Sequence, residues 1–190
     1  MTALDESLIG AQVIQKGEYS YIIHPLLDGV PRADPALLRE WVAWAKDALE
    51  QLPERPTVLL APEAMALPLA AALSLATDIP YLVVRKREYG LPGETVAYCE
   101  TGYGESCLYV NGLEAGDRVL VVDDVLSTGG TLQGLLSTLD QAQVPVCGVL
   151  VAVDKGTAAA GLARRHQVRI EAMRTIRVEE GAVHLEEEGA

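Results

Sequence analysis

The chain has 190 residues and a net charge of −12; hydrophobic residues make up 49% of it, yet it contains no Phe. That is enough apolar material for one full core, and so negative a surface disfavours nucleic acid and anionic membranes as partners. No apolar run reaches the roughly 18 residues of a membrane span, and MTALDESLIG lacks a basic region leading into an apolar one, so neither a membrane segment nor a secretory signal is expected.

In chain order, residues 1–34 fit no regular unit and are expected to form a small N-terminal hood over one edge of the fold. PALLREWVAWAKDALEQL (35–52) places Leu38, Trp41, Val42, Ala45 and Leu49 on one helical stripe, with Pro35 suited to the first turn. TVLLA (57–61) reads as a buried strand, EAMALPLAAALSLAT (63–77) as a helix, and PYLVVRK (80–86) as a strand ending in the basic cluster Arg85, Lys86 and Arg87. A long polar loop is expected over 88–104, then a short strand SCLYV (106–110) and a central one, DRVLVVD (117–123). Gly129–Gln141 predicts a helix, PVCGVLVAVD (145–154) a strand and TAAAGLARRH (157–166) a further helix.

Continuous aliphatic strands alternating with helices predict an α/β fold: a central, mostly parallel sheet with helices on both faces, over residues 35–178. Residues 179–190 are expected to be an acidic tail. In such sheets ligands bind at the carboxyl ends of strands. The basic cluster, the pair Asp123–Asp124 and Asp154–Lys155 all fall at such ends. Cys99, Cys107 and Cys147 are odd in number and lack metal-ligand spacing, so they read as reduced thiols of a cytoplasmic protein.

The chemistry concentrates in VLVVDDVLSTGGT, Val119 to Thr131. Ser127 to Thr131 lead from a strand into a helix N-terminus, where backbone N–H groups lack partners and Gly129 and Gly130 let the main chain wrap an anion. Hydroxyls of Ser127, Thr128 and Thr131 add donors, making a monophosphate cradle; a plain helix cap with a tight turn is the alternative. Neither GxxxxGK[ST] nor GxGxxG is present. Two adjacent carboxylates at a buried strand end need donors, and the vicinal hydroxyls of a sugar would supply them. Together, pair and cradle imply a phosphorylated sugar.

This stretch resembles the binding motif for PRPP (phosphoribosyl pyrophosphate) of the type I phosphoribosyltransferases. VVRKREYGLPGE is similar to a segment of the adenine enzymes, and EAMALPLAAALSLATDIPYLVVRKREYGLPGE with YIIHPLLDGVP resembles the archaeal-type hypoxanthine/guanine enzymes more closely. The resemblance implies that Asp123 and Asp124 bind the ribose hydroxyls and that the loop Val125, Leu126, Ser127, Thr128, Gly129, Gly130 and Thr131 holds the 5′-phosphate. It puts pyrophosphate at Glu63, Ala64 and Met65, with Arg85, Lys86 and Arg87 as cationic donors. It implies a Mg²⁺ cofactor held mainly through substrate near the Asp pair, and a homodimer.

Within this resemblance, an aspartate of the 6-oxopurine enzymes is replaced by Ser127, as in the adenine enzymes. Glu100 in YCETGYG is then the candidate general acid–base. Lys155 is placed to donate to a purine O6, or is a turn lysine in DKG; Tyr19 and Tyr21 either stack on the base or pack the hood. His24 reads as structural. The 88–104 loop, with Gly90, Gly93, Gly102 and Gly104, is either a lid or an ordinary connection. A purine salvage enzyme favouring hypoxanthine or guanine is the expected function; an adenine enzyme and a non-catalytic PRPP-binding regulator are the alternatives.

Overall fold

The computed structural model describes residues 1–186 except Glu18, Gly102, Tyr103 and Thr157, and only the backbone of Glu100, Thr101, Gly104 and Glu105. A short helix α1 (Ala3–Ile9) leads into the hairpin β1 (Gln12–Lys16) and β2 (Tyr19–Ile23). Then follow α2 (Pro35–Glu50), β3 (Val58–Pro62), α3 (Ala66–Thr77) and β4 (Tyr81–Val84). A second hairpin, β5 (Thr95–Thr101) and β6 (Gly104–Val110), precedes β7 (Val119–Leu126), α4 (Gly130–Gln141), β8 (Val146–Asp154), α5 (Ala159–His166), β9 (Ile170–Glu179) and β10 (Ala182–Leu185).

The main sheet is six-stranded in the order β10-β9-β8-β7-β3-β4, parallel except for the β9–β10 pair. Period-two alternation divides its side chains between two cores. Leu59, Ala61, Leu120, Val122, Leu150 and Ala152 join α2 and α3 on one face. Leu60, Val119, Val121, Val149 and Val151 face α4 and the β5–β6 hairpin on the other. With both faces covered, the strands need to be aliphatic throughout, which is why they read as unbroken apolar runs.

Local signals account for the helices. Asp34 caps α2 by accepting the Ala36 N–H at 2.8 Å, and Pro35 occupies the first turn. The fully buried stripe of α2 is Leu37, Trp41, Ala45 and Ala48, while Leu38, Val42 and Leu49 pack at its margin, so the expected face is rotated by part of a turn. Pro68 interrupts nothing because α3 begins at Ala66 and its first N–H groups have no intrahelical acceptor.

Three regions depart from expectation. Residues 95–101 and 104–110 pair as a hairpin packed on α4, so the polar loop expected to run to residue 104 ends near residue 94; Gly102 lies outside the described residues. Among the described side chains of β5, Ala97 and Cys99 turn inward to the core and Tyr98 is exposed, an inward stripe too short to stand out in the sequence. Within the expected acidic tail, residues 182–185 form edge strand β10 against β9, burying Val183. In the expected hood, α1 belongs to the core: Leu4 and Leu8 are fully buried, and the Asp5 carboxylate pairs with Arg174 of β9. The β1–β2 hairpin and the segment after it add Ile22, Leu26 and Leu27 to the same core.

Gly134 is where α4 meets β5: a Cβ there would lie 2.3 Å from the Tyr98 carbonyl oxygen and 2.8 Å from Cys99 Sγ. Gly134→Ala should therefore lower stability by about 1–3 kcal/mol in chemical denaturation. An unchanged midpoint would contradict this packing.

Candidate active site

The site's location follows from the order of connections. From β3 the chain climbs through α3 to β4 on one side; from β7 it passes through α4 on the opposite face to β8 on the other side. Strand order thus reverses between β3 and β7, and a crevice must open at their carboxyl ends. The ladders record it: β3 pairs with β7 only as far as Val121, whereas β8 follows β7 to Leu126. Asp123 and Asp124 sit where β7 has lost its β3 neighbour.

A cavity of about 420 Å³ fills this crevice. Asp123, Asp124 and every residue of 125–131 line it, with Pro62, Glu63 and Lys86 opposite and Tyr19 of the hood, Ser106 and Leu108 completing the wall. A larger open groove of about 1340 Å³ adjoins it between the β5–β6 hairpin, α4 and α5, but no carboxylate or lysine among the described residues lines it. The smaller cavity holds the chemistry.

The expected anion cradle has the backbone it needs. Gly129 has φ +79°, and a Cβ there would stand 2.8 Å from Ala158 Cβ and 3.0 Å from Leu162 Cδ1 of α5. Both the left-handed conformation and the close approach therefore demand glycine. Helix α4 starts at Gly130 with no side-chain cap, so its N-terminal N–H groups face the cavity unclaimed by a side chain.

The acidic pair is held under electrostatic stress. Burial pushes the Asp123 carboxyl up to about 6. Burial, then the neighbouring Asp123 charge, pushes Asp124 well above the usual carboxylate range, and Asp28 from the hood adds to it. One internal bond offsets part of this: the Asp124 N–H donates to Asp123 Oδ1 at 2.9 Å. Incoming hydroxyls or a cation would relieve the rest.

The basic triplet separates. Lys86 lines the cavity, whereas Arg85 is ion-paired with Glu63 at 3.1 Å and Arg87 lies 5.6 Å from the ring centre of Tyr89. Of the expected pyrophosphate loop, Glu63 lines the cavity, and Met65 turns its thioether toward Gly29 of the hood. The Glu63–Ala64 peptide is cis.

Lys155 reaches the hood. Its Nζ donates to the Ser20 carbonyl at 2.7 Å and lies 4.0 Å from the ring centre of Tyr19. Tyr19 and Tyr21 meet edge to face at 4.9 Å. Asp154, buried and pushed up by that burial, accepts the Gly156 N–H at 2.9 Å and shapes the turn that presents Lys155. His24 is structural: Nδ1 accepts the Leu26 N–H at 3.2 Å, so Nε2–H donates to Ser7 Oγ at 2.8 Å, and burial lowers its pKa to about 4. The side chain of Glu100 lies outside the described residues. Ser106, Leu108 and Pro62 were not among the expected site residues; they enter only through the folding of the second hairpin and the end of β3.

Comparison with known proteins decides the family. The model of the phosphoribosyl transferase domain matches residues 32–175. The chain belongs to the phosphoribosyltransferase family. It is 49% identical to HGPRTase-like protein 2 of Haloferax volcanii, over 82% of this chain and 84% of that one. It is 41% identical to the hypoxanthine/guanine phosphoribosyltransferase of Methanothermobacter thermautotrophicus, over 97% and 94%. Among solved structures, the adenine phosphoribosyl transferase of Trypanosoma brucei, in complex with AMP, pyrophosphate and ribose-5-phosphate, shares the fold at a TM-score of 0.74. That likeness covers 98% of this chain and 86% of the other at 16% identity. This phosphoribosyltransferase lies on the purine branch of the type I enzymes, with the α/β architecture expected of them.

A carboxyl whose folded pKa is raised costs stability once it ionises, so the cost is absent below the ordinary value of 3.8 and complete above about 6 for Asp123. Asp123→Asn should therefore melt higher than the wild type at pH 7. The gap should close as pH falls through 6 toward 3.8 in a thermal melt series. A variant that melts lower at pH 7 would refute the stress on this pair.

Proposed function

We propose that this phosphoribosyltransferase joins a purine to PRPP, releasing pyrophosphate and giving a nucleoside 5′-monophosphate, with hypoxanthine or guanine preferred over adenine. The observation that carries this is the convergence, in one cavity of about 420 Å³, of the acidic pair, the start of α4 and Lys86. These are three separate complements to one substrate: hydroxyls at Asp123 and Asp124, the 5′-phosphate at 127–131, and the pyrophosphate toward Lys86 and Glu63. The bond from C1 to the pyrophosphate oxygen breaks as a bond from C1 to a purine nitrogen forms. The transition state resembles an oxocarbenium ion, so the protein contributes mainly by orienting both groups and shutting water out. The nitrogen's proton leaves to a base, for which Glu100 is the candidate.

Mg²⁺ suits this donor set. Asp123 and Asp124 repel one another, and no cluster of three His, Cys, Asp or Glu able to hold a metal occurs among the described residues. The ion would then sit mainly on substrate oxygens and water near the pair, where it neutralises pyrophosphate charge.

The base would sit under the hood against Tyr19. Lys155, beside Tyr19, has donors beyond the one given to Ser20, and a group that only donates favours a 6-oxo over a 6-amino purine. Relatives named for hypoxanthine and guanine support that order. Ser127 supports the adenine reading, because it leaves the cradle without a carboxylate beside the base. A homodimer in the cytoplasm completes the proposal; the three free cysteines suit a reducing compartment, and no described helix is long and apolar enough to cross a membrane.

Spectrophotometric assay with PRPP, Mg²⁺ and each base in turn should give turnover fastest with hypoxanthine or guanine. PRPP binding without turnover of any purine would overturn the enzymatic reading. Asp124→Asn should weaken PRPP use with every base, and unchanged PRPP kinetics would refute the ribose assignment. Lys155→Ala should cut kcat/KM for hypoxanthine by roughly tenfold or more, a loss of one hydrogen bond from a charged donor, and for adenine far less. An equal loss with both bases would contradict the O6 contact.

A further inference from the structure

We infer that Glu63 is a positioning residue for the pyrophosphate end of the cavity: its carboxylate takes over the ladder bond that its own carbonyl would make. The inference rests on the proposed reaction and goes beyond it by assigning a role to an acid at the site of an anionic leaving group.

Strands β3 and β4 run in parallel register from Leu59 opposite Tyr81 to Pro62 opposite Val84, so continuing the ladder puts Glu63 opposite Arg85. In a parallel pair, a residue donates its N–H to one neighbour and accepts at its carbonyl from the residue two places further on. Glu63 makes the first bond, its N–H donating to the Val84 carbonyl at 3.0 Å. The second would bring the Lys86 N–H to the Glu63 carbonyl. Instead the Lys86 N–H donates to Glu63 Oε1 at 2.6 Å.

The side chain has thus replaced the main chain in the last rung. The end of β4 stays pinned, and Lys86 with it, while the backbone after Glu63 is released to turn away from the sheet and run along the crevice. It enters α3 at Met65, a cap position with no side-chain hydrogen bond, so the first N–H groups of α3 are claimed by no capping side chain. Were the rung made by the carbonyl, the strand would run on and the turn would begin later.

A carboxylate here would repel pyrophosphate if it were alone. Arg85 stands 3.1 Å from Glu63 Oε2, and the Glu63 side chain is only 19% exposed, so the two charges compensate locally. Among the described residues, Lys86 is left as the cation on this wall without an ion pair. This accounts for the split of the basic triplet: Arg85 neutralises the positioning acid, and Lys86 meets the substrate.

The test is calorimetric titration of the full-length protein with pyrophosphate and Mg²⁺, which needs no turnover, alongside KM for PRPP and for hypoxanthine. Glu63→Ala should weaken pyrophosphate binding and raise KM for PRPP by about tenfold, the usual consequence of orphaning a hydrogen-bonded group, with KM for hypoxanthine little changed. Glu63→Gln keeps an acceptor oxygen for Lys86 but leaves Arg85 uncompensated, so it should bind pyrophosphate at least as well as the wild type. The Glu63→Gln/Arg85→Gln double variant removes both charges, keeps the acceptor and should stay within about threefold of the wild type. Gln variants as impaired as Glu63→Ala would overturn the inference, as would an unaffected Glu63→Ala or an equal rise in KM for hypoxanthine. If Glu63→Ala fails to unfold cooperatively, the two Gln variants decide alone. A wild type that binds pyrophosphate but turns over no purine sinks the enzymatic reading and leaves this inference open to the same titration.

Discussion

Two carboxylates, adjacent in sequence and enclosed at the end of a buried strand, repel one another wherever the protein is empty. Asp123 and Asp124 are both held above their ordinary ionisation range, by burial first and by each other second. No packing of the surrounding chain removes that stress without removing the site, because the strand that carries them must be central for the crevice to lie where strand order reverses. Everything nearby is arranged around this constraint. The neighbouring strand β3 stops pairing before the pair is reached, the α4 N-terminus supplies positive potential just beyond it, and the hood covers it from above. The protein gives up some stability to keep this pair of carboxylates at the cavity wall, where the proposed reaction uses them to bind sugar hydroxyls.

Glycine does the corresponding work on the backbone. At Gly129 the chain turns left-handed while α5 presses within contact of where a side chain would begin; at Gly134, one turn into α4, the hairpin β5–β6 presses from the other side. The helix whose N-terminus lines the cavity is thus held between two elements that press against its backbone. The buried side chains Leu132, Leu135, Leu136 and Leu139 add to these two close approaches in fixing its position.

The centre of the site was legible in the sequence because it is local. Asp123, Asp124 and the Ser127–Thr131 turn lie within one strand–loop–helix unit, and the chemistry of that unit does not depend on anything distant. The parallel sheet was legible for a similar reason: unbroken aliphatic runs have few other uses. What failed to show depends on long-range partners. Lys155 meets Ser20 across 135 positions, and Arg174 meets Asp5 across 169. Helix α1 looked like part of a loose hood because its buried Leu4 and Leu8 are too few to make a periodic pattern. Strand β10 hid inside an acidic composition, and the second hairpin hid because the inward stripe of β5, Ala97 and Cys99, is so short. The division of Arg85, Lys86 and Arg87 was beyond reach, since three like charges in a row carry no record of which way each one turns.

The sheet also separates two jobs that share one cavity. Hood residues Ile22, Leu26 and Leu27 are packed into the core on one face, whereas α4 and the second hairpin belong to the core on the other. On the proposed reading, the covering over the base and the grip on the sugar phosphate are therefore anchored in different cores, on either side of a layer of backbone. Repacking one face need not disturb the other. If the cavity is filled as proposed, a chain built this way could exchange one nucleobase for another over evolutionary time while its hold on the common sugar-phosphate partner stays untouched.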